Sequence, residues 1–256
     1  MAIPTFPVTD PNINDRMTTD LNIKTFDEQE RRYRAVRERI RQAVMGAGRD
    51  PTEICLLAVS KGHPVQALDT LQRLGQRDFG ESHLQEALPK LDTLAGHNLN
   101  WHFIGPLQAN KCRDIAARFD WVHSLDRPQL AERLNRLRPQ HLPPLQVCLQ
   151  VKLSAEPQKS GVQPEDLALL AETVAGLPRL CLRGLMTIPQ ASREQSEQRA
   201  AYARLHALFN HLRSAGHGFD TLSMGMSEDL EAAILEGSTL VRVGTALFGP
   251  RPAART

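Results

Sequence analysis

Eight short apolar runs, separated by helical patterns, constrain the fold of this 256-residue chain more than any other feature. The nearly continuous apolar character of the runs is typical of a parallel sheet covered on both faces. Helical periodicity marks the intervening segments, including 63–75, 128–138 and 191–215. About eight strand–helix pairs predict a single (β/α)8 TIM-type barrel. The predicted strands lie near residues 54–60, 77–81, 100–105, 120–125, 145–153, 180–188, 220–224 and 240–244.

A doubly wound open sheet is the structural alternative. It would require a glycine-rich turn of the form G-x-G-x-x-G after the first strand, whereas this chain has SKGHP at 60–64. No linker or shift in composition divides the chain after its N-terminal segment. We therefore expect one barrel domain over residues 25–256.

The N-terminal region predicts a flexible leader followed by an extra helix. Residues 1–24 are rich in Pro, Asn and Asp, which favours a leader without fixed structure. DEQE at 27–30 is typical of a capping box, with Asp27 as the N-cap. Apolar residues then recur at helical spacing up to GAGRDP at 46–51, and these are Tyr33, Val36, Ile40 and Val44.

Composition excludes several classes of function. The net charge of +2 predicts neither a nucleic-acid groove nor a membrane-surface patch. No signal peptide and no bilayer-spanning apolar run is present. The cysteines have no CxxC spacing, so we expect free thiols in a reducing compartment, a cytoplasmic location and no metal site. They are Cys55, Cys112, Cys148 and Cys181.

The first strand ends in a lysine within LLAVSKGHP, residues 56–64. Chemistry in a (β/α)8 barrel takes place where the strands end. Lys61 among apolar neighbours loses hydration unless it is paired or neutral, and burial lowers its pKa. The result is a free amine able to form an imine. The alternative is a lysine that extends from the barrel rim to water.

The last two strands predict a phosphate site. LSMGMSEDL at 222–230 and VRVGTALFG at 241–249 enter the loops that bind phosphate in such barrels. Hydroxyl groups, glycines that permit close backbone approach, and free N–H groups suit an anion. The predicted phosphate contacts are Ser223, Gly225, Ser227, Gly244 and Thr245, with Met224 also assigned to the cofactor site.

Within the same segments, Ser227 is expected to be the N-cap of the next helix. Glu228 and Asp229 are expected to face away from the phosphate because of their charge. Arg242 shares a strand face with Gly244, which puts it beneath the phosphate. Its alternative role is a buried structural ion pair.

Together, Lys61, the phosphate loops and Arg242 describe a site for a phosphorylated aldehyde held as a Schiff base. The ligand that fits is pyridoxal 5'-phosphate (PLP), with Arg242 near the pyridine nitrogen and keeping it unprotonated. His102 faces inward on the third strand and is a further candidate contact, although a histidine in a strand is more often a satisfied core residue. Lys159, after the fifth strand, is a possible second amine for PLP.

Several motifs resemble, in order, the signatures of the PLP homeostasis proteins, the YggS/PROSC family. The resemblance covers roughly residues 30–250. The pair LSMGMSEDLEAAI and VRVGTALFG is its most specific part. The other motifs are LLAVSK, FGES..QE, WHFIGPLQANK, VHSLDR, KSGV and RGLMTIP.

The resemblance implies a fold type III PLP barrel, like the N-terminal domain of alanine racemase. It implies a protein that buffers or delivers PLP in the cytosol without established turnover. Lys61 matches the family's PLP lysine, and Arg242 its pyridine-nitrogen partner. The phosphate contacts that it implies are Ser223, Ser227, Gly244 and Thr245. The family usually has FGENYVQE, so Ser82 and His83 depart from it and a ring contact is missing or remade.

Two enzymatic alternatives remain open. An amino-acid racemase or decarboxylase of fold type III adds a C-terminal β domain with a second base, for which the sequence after the eighth strand gives no place. A cofactor-free Schiff-base aldolase needs a proton-shuttling acid or a second lysine, and the candidates are Lys152 and Lys159. We expect a monomer whose partners are PLP and apo PLP-dependent enzymes, with no nucleic acid and no membrane.

Overall fold

A computed structural model describes residues 11–154, 156 and 159–251, with side chains from residue 26 onward. The helices are α1 Pro11–Gly46, α2 Val65–Arg73, α3 Leu84–Thr93, α4 Cys112–Arg118, α5 Pro128–Leu137, α6 Leu167–Ala175, α7 Gln195–Ser214, α8 Leu230–Leu235 and α9 Thr245–Phe248. The strands are β1 Cys55–Val59, β2 Asp78–Glu81, β3 Asn100–Phe103, β4 Trp121–Leu125, β5 Leu145–Gln150, β6 Leu180–Met186, β7 Thr221–Ser223 and β8 Leu240–Val243. Among these helices, none combines the length and the apolar character that crossing a bilayer requires.

The eight strands form a closed parallel barrel in sequence order. Ala58 on β1 pairs with Phe79 on β2 and also with Val243 on β8, which closes the sheet. All carboxyl ends of the strands therefore meet at one end of the barrel. The predicted (β/α)8 barrel is confirmed, and the pairing of β1 with β8 excludes the open-sheet alternative.

Helix α1 begins 16 residues before the predicted N-cap, at Pro11. The N-cap assignment of Asp27 is wrong, because no Pro or Gly occurs between residues 12 and 45 to interrupt the helix. Residues 1–10 lie outside the described residues. The division into a flexible leader and a barrel at residue 24 stays a prediction.

Helix α1 packs against α2, α8 and α9 through the predicted apolar stripe. Val36, Ile40 and Val44 are buried, and full burial of such side chains stabilises by about 1.5–3 kcal/mol each. Arg39 donates to both carboxylate oxygens of Glu231, at 2.7 and 2.9 Å, and to the Ser227 carbonyl at 3.0 Å. The helix thus fixes the loop that follows β7.

Gly225 allows α8 to pack directly onto the backbone after β7. Its φ is +94°, and a Cβ atom there would lie 2.6 Å from the Cβ of Ala233. An L-residue is disfavoured by both the dihedral angle and the contact.

We expect Gly225→Ala to lower the free energy of unfolding by about 1–3 kcal/mol, through backbone strain and overpacking. Chemical denaturation followed by circular dichroism measures the change. Gly218→Ala is the matched control, since no atom lies within 4 Å of the added Cβ. Its effect should stay within about 0.5 kcal/mol, and equal losses in the two variants would contradict the packing role.

Candidate functional site

A cavity of about 310 Å³ opens at the carboxyl ends of the strands. This volume lies at the lower end of the ~300–1,000 Å³ typical of small-molecule sites. Two cavities of about 500 Å³ lie at the opposite end of the barrel, one beside Trp101 and one beside Phe219. Neither contains a residue that the sequence assigns to chemistry, so we take the first as the functional site. Five of the residues predicted for the cofactor site line this cavity, and Ser82 lines it as well. The five are Lys61, Ser227, Arg242, Gly244 and Thr245.

Lys61 lies two residues beyond β1 and reaches the cavity half-buried. Burial lowers the pKa of its amine, with help from the charges of Arg251 and Arg242, while Glu81 and Glu86 oppose the shift. Within the described part of the chain, the amine has no hydrogen-bond partner. Lys61 is therefore a primary amine that loses its proton more readily than a free lysine and faces open space.

A buried lysine braces the turn that carries Lys61. Lys90 donates to the Ser60 carbonyl at 2.9 Å, to Glu81 Oε1 at 2.7 Å and to Glu86 Oε1 at 2.6 Å. The Glu86 carboxylate also accepts from the backbone N–H after Lys61. The residues on both sides of the amine are thus fixed by one ionic cluster. The spacing of Glu86 and Lys90, four residues apart, was a sequence signal for part of this cluster.

The carboxylate of Glu81 is fully buried within this cluster. Its Oε1 accepts from Ser60 Oγ at 2.6 Å, whereas its Oε2 has no partner among the described residues. Burial raises the pKa of Glu81, and the charge of Lys90 works against that effect. Among the described residues, no member of this cluster forms a hydrogen bond with the Lys61 amine.

The loops after β7 and β8 present N–H and hydroxyl groups to the cavity. Ser227 Oγ accepts from the backbone N–H of Ala246 at 3.4 Å, which joins the two loops. The N–H groups of Ser227 and Thr245 have no acceptor in the part of the chain that the structure describes. Unpaired N–H groups and hydroxyls form an environment suited to a phosphate.

The predicted N-cap at Ser227 is wrong, because α8 begins only at Leu230 and Asp229 is the flanking residue. Glu228 and Asp229 therefore belong to the turn and line the cavity, contrary to expectation. Asp229 has a structural role there. Its carboxylate accepts from the Met226 N–H at 2.6 Å and from the Tyr202 hydroxyl at 2.7 Å.

Arg242 lies in the barrel lumen and contacts the cavity from below. It donates to the Ser223 carbonyl at 2.6 Å, to Ser223 Oγ at 2.9 Å and to the Thr187 carbonyl at 2.9 Å. No carboxylate of the described residues forms an ion pair with it, so the predicted alternative of a structural pair is wrong. Burial lowers the pKa of Arg242, while Tyr202 and Asp229 oppose this shift.

Four predicted contacts do not line the cavity. His102 and Ser223 are buried in the lumen below it, Met224 packs in the core, and Gly225 supports α8. In sequence, His102 precedes the cavity-lining Ile104, and the other three precede the cavity-lining Met226. Their predicted contact with the cofactor therefore has no support from their positions.

Lys159 also lies outside the cavity lining. Its amine donates to the Pro189 carbonyl at 2.8 Å and pairs with Glu156 at 3.0 Å. It links the loops after β5 and β6, and its role as a second PLP amine stays a prediction. Sequence reasoning did not assign the remaining lining residues to the site. All of them except Gln198, which lies in α7, lie outside the helices and strands of the structure: His63, Ile104, Ile188, Pro189, Ala191, Ser192, Gln198, Met226 and Arg251.

Comparison with known proteins places this geometry in a family. The model of the alanine racemase N-terminal domain matches residues 32–252. The pyridoxal phosphate homeostasis protein of Pseudomonas aeruginosa is 58% identical over 216 residues, covering 84% of this chain and 93% of that protein. The homologue of the same name from Escherichia coli K12 is 49% identical over 219 residues, covering 84% and 94%.

Solved structures agree. PipY of Synechococcus elongatus, determined with PLP bound, is 38% identical with a TM-score of 0.73, and the match covers 84% of this chain and all of PipY. Alanine racemase from Corynebacterium glutamicum, at 19% identity and a TM-score of 0.63 over 87% of this chain and 62% of the enzyme, shares the fold. This chain belongs to the family of the pyridoxal phosphate homeostasis proteins, built on the alanine racemase N-terminal domain.

Proposed function

We propose that this protein binds PLP in the barrel cavity, as a Schiff base on Lys61, and acts in intracellular PLP homeostasis by buffering or delivery. The observation that carries the proposal is the Lys61 amine, which faces the cavity and lacks a hydrogen-bond partner in the described part of the chain. The homologues named for pyridoxal phosphate homeostasis and the PLP-bound PipY support it.

The cavity residues fit the chemistry of PLP. Ser227, Gly244 and Thr245 would hold the phosphate, and the Lys61 amine would hold the aldehyde carbon. Arg242 would meet the pyridine nitrogen; a guanidinium has donors only, so it cannot receive a proton from that nitrogen. When bound, PLP supplies an aldehyde that a neutral primary amine captures covalently. The lowered pKa of Lys61 increases the fraction of amine in that neutral form.

We infer binding without turnover rather than racemisation, because the homologues are named for homeostasis and not for an enzymatic reaction. A racemase needs two bases, one on each face of the substrate carbon. Among the described lining residues, the groups besides Lys61 that could take a proton are His63, Glu228 and Asp229. Asp229 is engaged by Tyr202 and by the Met226 N–H. Alanine racemases and lysine decarboxylase resemble this chain at under 20% identity, which shows the fold alone.

A cofactor-free aldolase is disfavoured by the position of the other candidate lysines. Neither Lys152 nor Lys159 lines the cavity. Lys159 is instead engaged by Pro189 and Glu156. A second lysine that could shuttle protons beside Lys61 is therefore not among the described lining residues.

We also propose a cytoplasmic, monomeric protein that passes PLP to apo-enzymes. The four cysteines are free, and burial raises the pKa of Cys55 and of Cys148 to about 12. Such thiols are unreactive and compatible with a reducing compartment. Ile188 and Met226 are exposed at the cavity rim and would contact a receiving enzyme.

The experiment that tests the proposal is borohydride reduction in the presence of PLP. We expect a yellow protein in which reduction fixes about one PLP per chain on Lys61, located by peptide mass spectrometry. Labelling should decline at low pH, because protonation of the amine removes the nucleophile. Lys111→Ala is the control, since Lys111 lies outside the cavity lining. A colourless protein, or undiminished labelling in Lys61→Ala, would reject the assignment.

Replacing both Ser227 and Thr245 by Ala should weaken PLP binding by about 10–100-fold for each hydroxyl removed, since a hydrogen bond to a charged group contributes about 1.5–3 kcal/mol. Titration followed by absorbance measures the Kd, and circular dichroism confirms the fold. Ser192→Ala is the matched control, because that cavity serine donates to Glu197 instead. Pyridoxal without phosphate should bind poorly. Equal affinity for pyridoxal and PLP would contradict the phosphate site.

We expect negligible turnover of amino acids. The PLP-loaded protein is incubated with each amino-acid enantiomer in deuterated water, and nuclear magnetic resonance follows the loss of the α-proton. An alanine racemase in the same assay is the positive control. Exchange that depends on Lys61 and reaches the ordinary enzymatic range of about 1–10³ per second would favour the racemase alternative over homeostasis.

A further inference from the structure

A continuous row of four hydrogen bonds runs through the barrel lumen from the cavity toward the amino-terminal ends of the strands. Arg242 Nη1 lies 2.9 Å from Ser223 Oγ, which lies 2.8 Å from His123 Nδ1. His123 Nε2 lies 2.9 Å from His102 Nδ1, and His102 Nε2 lies 3.1 Å from Asp78 Oδ1. We call these five residues the lumen chain.

The lumen chain crosses the barrel rather than following its wall. Its members stand on β2, β3, β4, β7 and β8, and β4 is not a neighbour of β7 in the sheet. Four of its side chains are nearly excluded from solvent, and only the Asp78 end is partly exposed. A buried polar row of this kind is stable only if every donor and acceptor in it is satisfied.

The two ends determine the direction of every hydrogen bond between them. Arg242 has donors only, and the ionised carboxylate of Asp78 has acceptors only. Ser223 Oγ therefore accepts from Arg242, and its own proton is donated to His123 Nδ1. His123 Nε2–H then donates to His102 Nδ1, and His102 Nε2–H donates to Asp78. Both histidines are neutral, with the proton on Nε2.

The opposite direction leaves a proton without an acceptor. If His123 carried its proton on Nδ1, it would donate to Ser223 Oγ, which already accepts from Arg242. The hydroxyl proton of Ser223 would then lack an acceptor, because among the described residues Ser223 Oγ contacts only His123 and Arg242. That arrangement would also make His102 a cation, since both of its nitrogens would have to donate.

The surroundings favour neutral rings. Burial lowers the pKa of His123 well below its ordinary value, and the neighbouring charge of Arg242 lowers it further. His102 stacks on Trp121 with ring centroids 5.3 Å apart. The guanidinium of Arg183 covers the same Trp121 ring at 4.9 Å.

The carboxylate end of the row is stabilised in its charged form. Asp78 Oδ1 also accepts from the Asn100 side chain at 2.9 Å. Burial raises the pKa of Asp78, but the hydrogen bonds from His102, Asn100 and Cys55 outweigh it and the net pKa is lowered. Asp78 therefore stays an acceptor at neutral pH.

We propose that Asp78, His102, His123 and Ser223 are positioning residues that fix the guanidinium of Arg242 beneath the cavity. Three of its five N–H bonds are used by Ser223 O, Ser223 Oγ and Thr187 O. The other two remain for an acceptor in the cavity, which under the proposed function is the pyridine nitrogen of PLP. Because Arg242 cannot accept a proton, the row orients and does not conduct protons to the ligand.

The first test uses the ligand-free protein. Long-range ¹H–¹⁵N correlation spectra report which ring nitrogen of each histidine carries the proton. At neutral pH we expect His102 and His123 each to show a protonated Nε2 and a bare Nδ1, as the hydrogen bonds of the row require. A doubly protonated His102, or His123 protonated on Nδ1, would overturn the assigned direction.

The second test compares His123→Phe with His141→Phe. Phenylalanine keeps an aromatic ring at position 123 but has no ring nitrogen, so it breaks the row at its centre. We expect exchange of the Arg242 Nη1 protons with solvent to accelerate about fivefold, because they donate to Ser223 and the variant weakens that contact by about one hydrogen bond. The Kd for PLP should rise by a similar factor, with a shift in the absorbance of the bound cofactor. His141→Phe should change none of these.

The outcomes separate this inference from the proposed function. Wild-type protein that binds no PLP would reject the proposed function, while the ring protonation and the Arg242 exchange would still test the lumen chain. Unchanged Arg242 exchange in a folded His123→Phe protein would overturn the positioning role. If that variant does not fold, the protonation of the His102 and His123 rings in the wild-type protein still tests the inference.

Discussion

A buried guanidinium, that of Arg242, imposes the main constraint on the interior of this barrel, since no carboxylate of the described residues pairs with it. Arg242 is held by two backbone carbonyls and one hydroxyl. These neutral acceptors stabilise the cation without cancelling its charge. A paired arginine would present little net charge to the cavity, because the carboxylate would compensate it. The lumen therefore contains a row of polar side chains with a single anion, Asp78, at the end farthest from Arg242.

This constraint explains why the barrel interior is polar along one line and apolar elsewhere. The hydroxyl of Ser223 must satisfy Arg242 and then needs an acceptor of its own, which His123 supplies. Each buried partner creates the same requirement for the next residue, until Asp78 ends the row near solvent. Around the row, apolar side chains such as Leu57 fill the remaining lumen. One buried cation thus requires polar partners at several positions that do not line the cavity.

The parts of the site that could be predicted are those that depend on local periodicity. The period of two along a strand predicts that Arg242 faces inward, and the end of an apolar run indicates that Lys61 lies at the mouth of the barrel. The fold followed from the alternation of strands and helices.

The partners across the lumen could not be predicted in this way, because the contact of His123 with Ser223 joins residues 100 positions apart. Closure of the sheet brings them together, and no local sequence pattern predicts how the strands align across the barrel. For the same reason His102, correctly expected to face inward, was assigned to the cavity when it lies below it.

The start of α8 shows a different limit. Ser227 has the chemistry of an N-cap, yet the turn formed by Met226 and Asp229 delays the helix to Leu230. The carboxylate of Asp229 replaces the hydroxyl as the acceptor for a backbone N–H, and the N–H of Ser227 has no acceptor among the described residues. Arg39 holds the carbonyl of the same residue from outside the barrel. Ser227 is thus fixed through its carbonyl by a helix that precedes the barrel in sequence, while its N–H and hydroxyl belong to the lining of the cavity. The same division applies to Lys61, whose neighbours are bound by Lys90 and Glu86 while its own amine is not. In both loops the surrounding contacts supply rigidity, and in the described part of the chain they leave the Lys61 amine and the Ser227 N–H without a partner. This arrangement favours capture of a ligand over packing of the core.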